Sequence, residues 1–264
     1  GGLYITMRHL DGAMVHREFK GMVDRCRDVG FDLVGGLVEV TPTAHYMMGG
    51  VVFNTDTSTA MPGLFAAGED TGGIHGANRL GGNGVANSTV FGGIAGDVMA
   101  QWVPGEGILV DGDESVIQDA VAAALQPFDQ PVGDLLLIRE RMQRITWDDI
   151  GIIRDAAGLR RALAALEALE DELEAAGVPD GPRLSNMTWH DWLNLRSQIL
   201  IGRTIAVAAL LREDSCGAHF RADHPETDSL ESSRNTLVSL RDGELAVDTQ
   251  AVAFTRVKPG ESLI

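Results

Sequence analysis

The chain has 264 residues, with 38 Asp and Glu against 21 Lys and Arg and a formal net charge of -17. That length suffices for one large core or two modest ones. The acidic balance argues against nucleic acid and against general attraction to anionic lipid, so a negatively charged substrate would need locally placed cations working against the overall field. Cys26 and Cys216 lie far apart without metal-ligand spacing and suit a reducing compartment, and no metal site is predicted. The most apolar run, residues 199–211, is interrupted by Arg203 and is too short to span a bilayer, which predicts no direct membrane insertion.

In chain order, residues 3–7 (LYITM) alternate enough for a strand, and Phe19, Met22, Val23 and Cys26 stand at helical spacing within 17–29, where Gly30 is placed to end the helix. Residues 37–40 read as a strand leading into Pro42, and 51–53 as another. Pro62-Gly63 signals a turn before 64–67 (LFAA), a short apolar run typical of a buried parallel strand. Residues 85–100 form a predicted helix rich in small residues. After a Gly- and Pro-containing stretch from Trp102 to Asp113, helices are predicted over 115–125, 135–145 and along the stripe Leu159, Leu163, Leu166 and Leu173, which ends near Gly177. Trp189 to Leu211 supplies a further long helix, completing a bundle of about one hundred residues by usual element lengths. Beyond Pro225 comes a polar acidic stretch, and the alternation of 244–257 suggests a hairpin of strands.

The chemistry-bearing residue types concentrate between Thr43 and Gly96. Two cationic groups, His45 and Arg79, stand among glycines, and Glu69 ends an apolar run after a Pro-Gly turn. A carboxylate at the C-terminal end of such a strand sits where open α/β sheets bind ligands, so Glu69 is a candidate acceptor for a ribose or ribityl hydroxyl. Glycines from 72 to 84 remove side chains, and the following helix would aim N–H groups and a partial positive charge at the same place. The pattern suggests a pocket for an anion beside a cofactor. Spacing alone leaves His45 open between a carboxylate ligand and a core histidine, and Arg79 open between a helix cap, an ion pair and a carboxylate fork. Ser215, His219 and Asp223 are the residue types of a hydrolase triad, but they lie close together in one polar segment without a strand-turn-helix setting, and read as structural. The leucine stripes and Met47-Met48 read as core.

Four strings in order, HYMMGG (45–50), AAGED (66–70), HGANRLGGN (75–83) and REDSCGAHFRADHP (212–225), resemble the flavoprotein subunits of succinate dehydrogenase and fumarate reductase and their relative L-aspartate oxidase. The resemblance covers the C-terminal half or so of such a protein, and no G-x-G-x-x-G after a strand occurs here. It implies an α/β plus α architecture: the end of a capping domain (1–43), the C-terminal part of a Rossmann-like FAD-binding domain (44–104), a helical bundle (105–225) and a C-terminal tail with a β-hairpin (226–264). The fingerprint and most of the cap are expected upstream of Gly1.

By the same resemblance, His45 donates to one carboxylate of a dicarboxylate, Arg79 holds the substrate over the flavin, and His75 supports them. Glu69 faces the ribityl region of FAD. Asn83, Gly84 and Val85 stand where the family usually has Asn-Ser-Leu against the pyrimidine end of the ring; Gly84 removes a hydroxyl there but leaves the backbone donor. In REDSCGAH, Asp214 replaces a glutamate and Cys216 an arginine. The family's proton-transferring arginine belongs to a cap motif absent from this chain, and Arg8 lacks its context, so no acid or base is assigned. The expected activity is FAD-dependent interconversion of a C4 dicarboxylate such as succinate and fumarate, with this fragment by itself inactive. An iron–sulfur subunit is the implied partner, and the implied location is cytoplasmic, peripheral on the inner membrane through partner subunits. L-aspartate oxidation is the alternative in the same superfamily, and a non-catalytic fragment that docks a partner through its bundle is the alternative from another class.

Overall fold

The computed structural model describes residues 2–107 and 111–261, and the chain divides into two compact units, 1–47 and 48–264.

In the first unit, strand β1 (Leu3–Ile5) pairs antiparallel with β2 (Val38–Val40), Leu3 opposite Val40. Between them run α1 (Gly12–Glu18) and α2 (Lys20–Asp28). The Asp11 carboxylate caps α1 by accepting the Met14 N–H at 2.8 Å. One helix was expected over 17–29, but Phe19 leaves the helical region (φ -114°, ψ 27°) and splits it in two. Val15 and Val23 still face the same small core, with Leu33 and Val38. The end of α2 follows the sequence: Gly30 donates to Arg27 O and Phe31 to Cys26 O, the paired bonds that satisfy a helix's last carbonyls.

The second unit begins with extended chain. The runs 51–53 and 64–67, expected as strands, make only single bridges among the described residues, Val51 to Thr71 (parallel) and Phe65 to Ser58 (antiparallel). Apolar runs of this kind become strands only where a neighbouring ladder pairs with them. Phe53 packs edge-on against Phe91, and Phe65 against Trp102, which attach both runs to α3 (Asn83–Gly105).

Helix α4 (Glu114–Leu125), capped by Asp113, leads through a 3-10 turn (Gln126–Asp129) to the bundle of α5 (Leu135–Asp149), α6 (Ala156–Ala175) and α7 (Met187–Leu211). Asp134, Asp155 and Asn186 cap these three through side-chain oxygens. Leu159, Leu166, Leu169 and Leu173 of α6 meet Trp192, Leu195 and Ile199 of α7 and Ile138 and Met142 of α5 in one core. Gly202 lets α7 come close to α6, since a Cβ there would lie 3.2 Å from Leu166 Cδ1. Trp192 Nε1 donates to Leu173 O, and Trp189 Nε1 to Ala124 O, so both tryptophans pack between elements with their polar atoms satisfied. Ion pairs Arg139–Asp191, Arg141–Glu172 and Arg203–Glu170 lace the outside.

A hairpin follows, but its placement differs from expectation. It is built from β3 (Arg234–Arg241) and β4 (Glu244–Ala251), in register from Arg241 opposite Glu244 to Arg234 opposite Ala251. Its turn is Asp242-Gly243, both at positive φ (51° and 84°), the two-residue turn whose twist suits paired strands. The sequence over the first strand reads as a polar stretch because only its middle, Thr236 to Ser239, is half-buried, while Arg234, Asn235, Leu240 and Arg241 are exposed.

Candidate functional site

The site is built from backbone brought close to backbone. Gly50 (φ 151°) passes so near the chain at 70–71 that a Cβ would lie 2.0 Å from Asp70 O, and the contact is closed by Val51 N–H to Asp70 O (2.7 Å) and Gly72 N–H to Val51 O (3.1 Å). Gly50 thus joins the HYMMGG string to AAGED. Met48, expected in the core, is only half-buried, and its Sδ accepts the Arg79 N–H at 3.0 Å, tying the first string to the HGANR loop.

Asn87, one turn beyond Asn83 in α3, is buried and completes the arrangement. Its Nδ2 donates to Gly68 O (3.1 Å) and lies 3.4 Å from His75 Nε2. Thr71 Oγ1 also donates to Gly68 O, at 2.7 Å. The turn carrying Glu69 is therefore held from the helix and from Thr71. The sequence reading does not single out Asn87; the available signal was a second amide one turn after Asn83 in the small-residue half of the helix.

The predicted residues fall as follows. Arg79 and His75 are half-buried, and Arg79 Nη1 donates to Leu80 O (3.2 Å). Glu69 is exposed, directly after buried Gly68. Asn83, Gly84 and Val85 form the first turn of α3, where Asn83 N–H donates to Leu80 O and Val85 is 77% exposed. First-turn amides have no intrahelical acceptor, and no heavy atom lies within 4 Å of a Cβ placed on Gly81 or Gly82, so this helix start is open to a flat, anionic group. His45 is exposed and belongs to the first unit. Arg8 donates through Nε to Gly35 O (2.7 Å).

Ser215, His219 and Asp223 do not form a triad. Ser215 Oγ donates to His224 O (2.7 Å) and accepts the Arg221 N–H (2.9 Å), and Asp223 takes a two-oxygen grip on Arg221, at 2.8 Å for each bond. Those bonds from Arg221 hold the Asp223 carboxyl well below the usual range. Arg154 Nη1 stands 2.9 Å from His219 Nδ1, so that nitrogen must accept. Burial first, then the Arg154 charge, push the His219 imidazole below its ordinary value. No group of three or more His, Cys, Asp or Glu suited to a metal occurs among the described residues.

Residues 2–85 match the family model described as FAD binding domain, and 139–263 that described as Fumarate reductase flavoprotein C-term. The chain is 33% identical to the fumarate reductase flavoprotein subunit of Mycobacterium tuberculosis, over 98% of this chain and 46% of that protein. It is 35% identical to L-aspartate oxidase of Rhodospirillum rubrum, over 89% of this chain and 76% of that one. The structure of Mycobacterium smegmatis Sdh1 superposes with a TM-score of 0.81 at 32% identity, covering 94% of this chain and 42% of the other. The chain thus spans less than half the length of the fumarate reductase relative. It belongs to the FAD-dependent flavoprotein family of succinate dehydrogenase and fumarate reductase, which also contains L-aspartate oxidase.

Proposed function

We propose that the protein carrying this chain interconverts a C4 dicarboxylate such as succinate with its unsaturated partner fumarate, using FAD. The observation that supports this most is the setting of Arg79: a guanidinium in a glycine-rich loop, its backbone pinned to Met48, beside the open first turn of a 23-residue helix. A planar fork of N–H donors is the side chain best shaped to hold a carboxylate by two bonds. When bound, FAD supplies the redox chemistry, exchange of a hydride with the carbon next to a carboxylate.

The chain's own residues bind and orient. Arg79 grips carboxylate oxygens and His75 supports the Arg79 loop, which fixes the substrate and stabilises charge at the reacting end; for His45 the family resemblance supports a role as donor to a carboxylate. Glu69 would hold FAD through its ribityl hydroxyls, and the amides of Asn83, Gly84 and Val85 would hold the pyrimidine end of the ring. No proton-transferring group is assigned here, and Arg8 is already engaged with Gly35. An iron–sulfur subunit would receive the electrons. Among the described residues no helix is long and apolar enough to cross a membrane.

L-aspartate oxidation is the second reading, favoured by the coverage of the Rhodospirillum rubrum relative. Anaerobic addition of succinate or L-aspartate to separate samples of the complete flavoprotein decides between them. Bleaching of the flavin absorbance by succinate alone supports the dicarboxylate reading, bleaching by L-aspartate supports the oxidase, and bleaching by neither removes both. Glu69→Ala is expected to release flavin on gel filtration; unchanged occupancy would overturn its cofactor role.

A further inference from the structure

We propose that the turn at 215–219 is a strut that positions Arg79, with Gly217 as its contact residue. The inference rests on the reading of Arg79 as a carboxylate ligand and extends it to a segment far away in sequence.

The strut is anchored in the bundle. Arg221 is 1% exposed, and its Nη1 donates to three carbonyls at the end of α7, Ala209, Leu210 and Arg212 (2.9, 3.2 and 2.8 Å). Its Nε and Nη2 hold both oxygens of Asp223, whose Oδ2 also accepts the Ala156 N–H that opens α6 (2.9 Å). Arg154 fastens the segment again, with its N–H to Phe220 O (3.2 Å) and its carbonyl accepting from Ala222 N–H (2.7 Å). Ser215 closes the turn from within.

At its other end the strut meets the HGANR loop. Ala218 N–H donates to Ala77 O at 2.9 Å, and Gly217 (φ 58°) lies so close that a Cβ would sit 2.3 Å from Ala77 O and 2.5 Å from Ala77 C. The obstacle is backbone, so an added methyl must displace residue 77, two positions before Arg79. Arg79 itself is held at its N–H by Met48. The guanidinium is therefore carried on backbone clamped between a Met48 contact and a Gly217 contact. Charge placed for catalysis works only when held to a fraction of an ångström.

The test uses the complete flavoprotein and malonate, a dicarboxylate whose single carbon between carboxylates leaves no bond to oxidise, titrated by its perturbation of flavin absorbance. Gly217→Ala is expected to raise the malonate Kd about tenfold with flavin occupancy retained. In an Arg79→Lys background the same change should have a clearly smaller effect, because two alterations at one contact are not additive. Should Gly217→Ala fail to fold, Ser215→Ala loosens the turn from behind without adding atoms and should shift Kd in the same direction by a smaller factor, again less in the Arg79→Lys background. An unchanged Kd in these variants, or an equal shift in both backgrounds, overturns the strut. If Arg79→Lys by itself leaves malonate affinity unchanged, the ligand role of Arg79 fails whatever the turn does. If Arg79→Lys weakens binding and the turn variants do not, only the strut falls.

Discussion

The bundle of α5, α6 and α7 completely buries Leu159, Leu166, Leu195 and Ile199, whereas the described residues of 48–107 bury Thr57, Thr71 and Asn87 with Ala95 as their buried apolar side chain. The first region is closed by apolar side chains, and the second by backbone contacts at Gly50 and Ala77, side-chain hydrogen bonds to Gly68 O and two aromatic pairs. Leu80, Val85 and Val90 remain exposed there. An apolar core tolerates substitution by degrees, since each side chain contributes its own burial. A backbone contact fails at once, because a single Cβ has nowhere to go. The bundle is thus built for stability and the glycine segment for the placement of atoms at its surface.

Substitutions test this division, taken from the largest expected effect downward. Arg221→Met should cost about 4 kcal/mol in denaturant unfolding, as it leaves the carbonyls ending α7 and the Asp223 carboxylate without their partner. Leu166→Ala should cost about 3 kcal/mol by opening a cavity between α6 and α7. Flavin occupancy of the folded fraction should be unchanged by Leu166→Ala; if flavin is lost in step with stability, the two regions are not separable as described. Arg79→Lys should reverse that signature, keeping flavin and melting temperature while turnover falls about a hundredfold. Full activity in that variant would end the role proposed for the guanidinium.

Asn87→Ala should cost about 1–2 kcal/mol, since Gly68 O loses a buried donor, and should weaken flavin binding by freeing the Glu69 turn. A stability loss with unaltered flavin affinity would assign Asn87 to folding only. The smallest effect is expected from His219. Its native pKa lies below the ordinary value near 6.5, so the native state binds fewer protons than the unfolded chain. Its contribution is therefore complete above about pH 6.5 and is lost as pH falls below that. His219→Asn keeps an acceptor for Arg154 without a titrating ring, and unfolding curves between pH 7 and 5 should show a shallower loss than in the parent protein.

Much of this was legible in the chain. Four helices were located at 115–125, 135–145, 159–173 and 189–211; the last three each bury a face of the common core, whereas α4 buries no residue and was marked by its stop at Pro127. Where local signals and surroundings disagreed, the surroundings prevailed: 64–67 has strand composition but makes a single bridge, and 17–29 is interrupted at Phe19. The Asp242-Gly243 turn is visible in principle, yet β3 shows no alternation of burial to mark it as a strand, its half-buried residues being the consecutive run from Thr236 to Ser239.

What the sequence by itself determined is the inventory: helices with caps, glycine-rich motifs in a set order, and cations placed among them. Residue types at short spacing are local properties of a chain. The tertiary structure alone decided that Asn87 reaches Gly68, that Met48 Sδ accepts from Arg79, and that Gly217 presses on Ala77. Those contacts join positions up to 140 residues apart, counted from Ala77 to Gly217. Nothing in the local pattern records such an approach, because it is fixed by how packed elements place two stretches of backbone against each other.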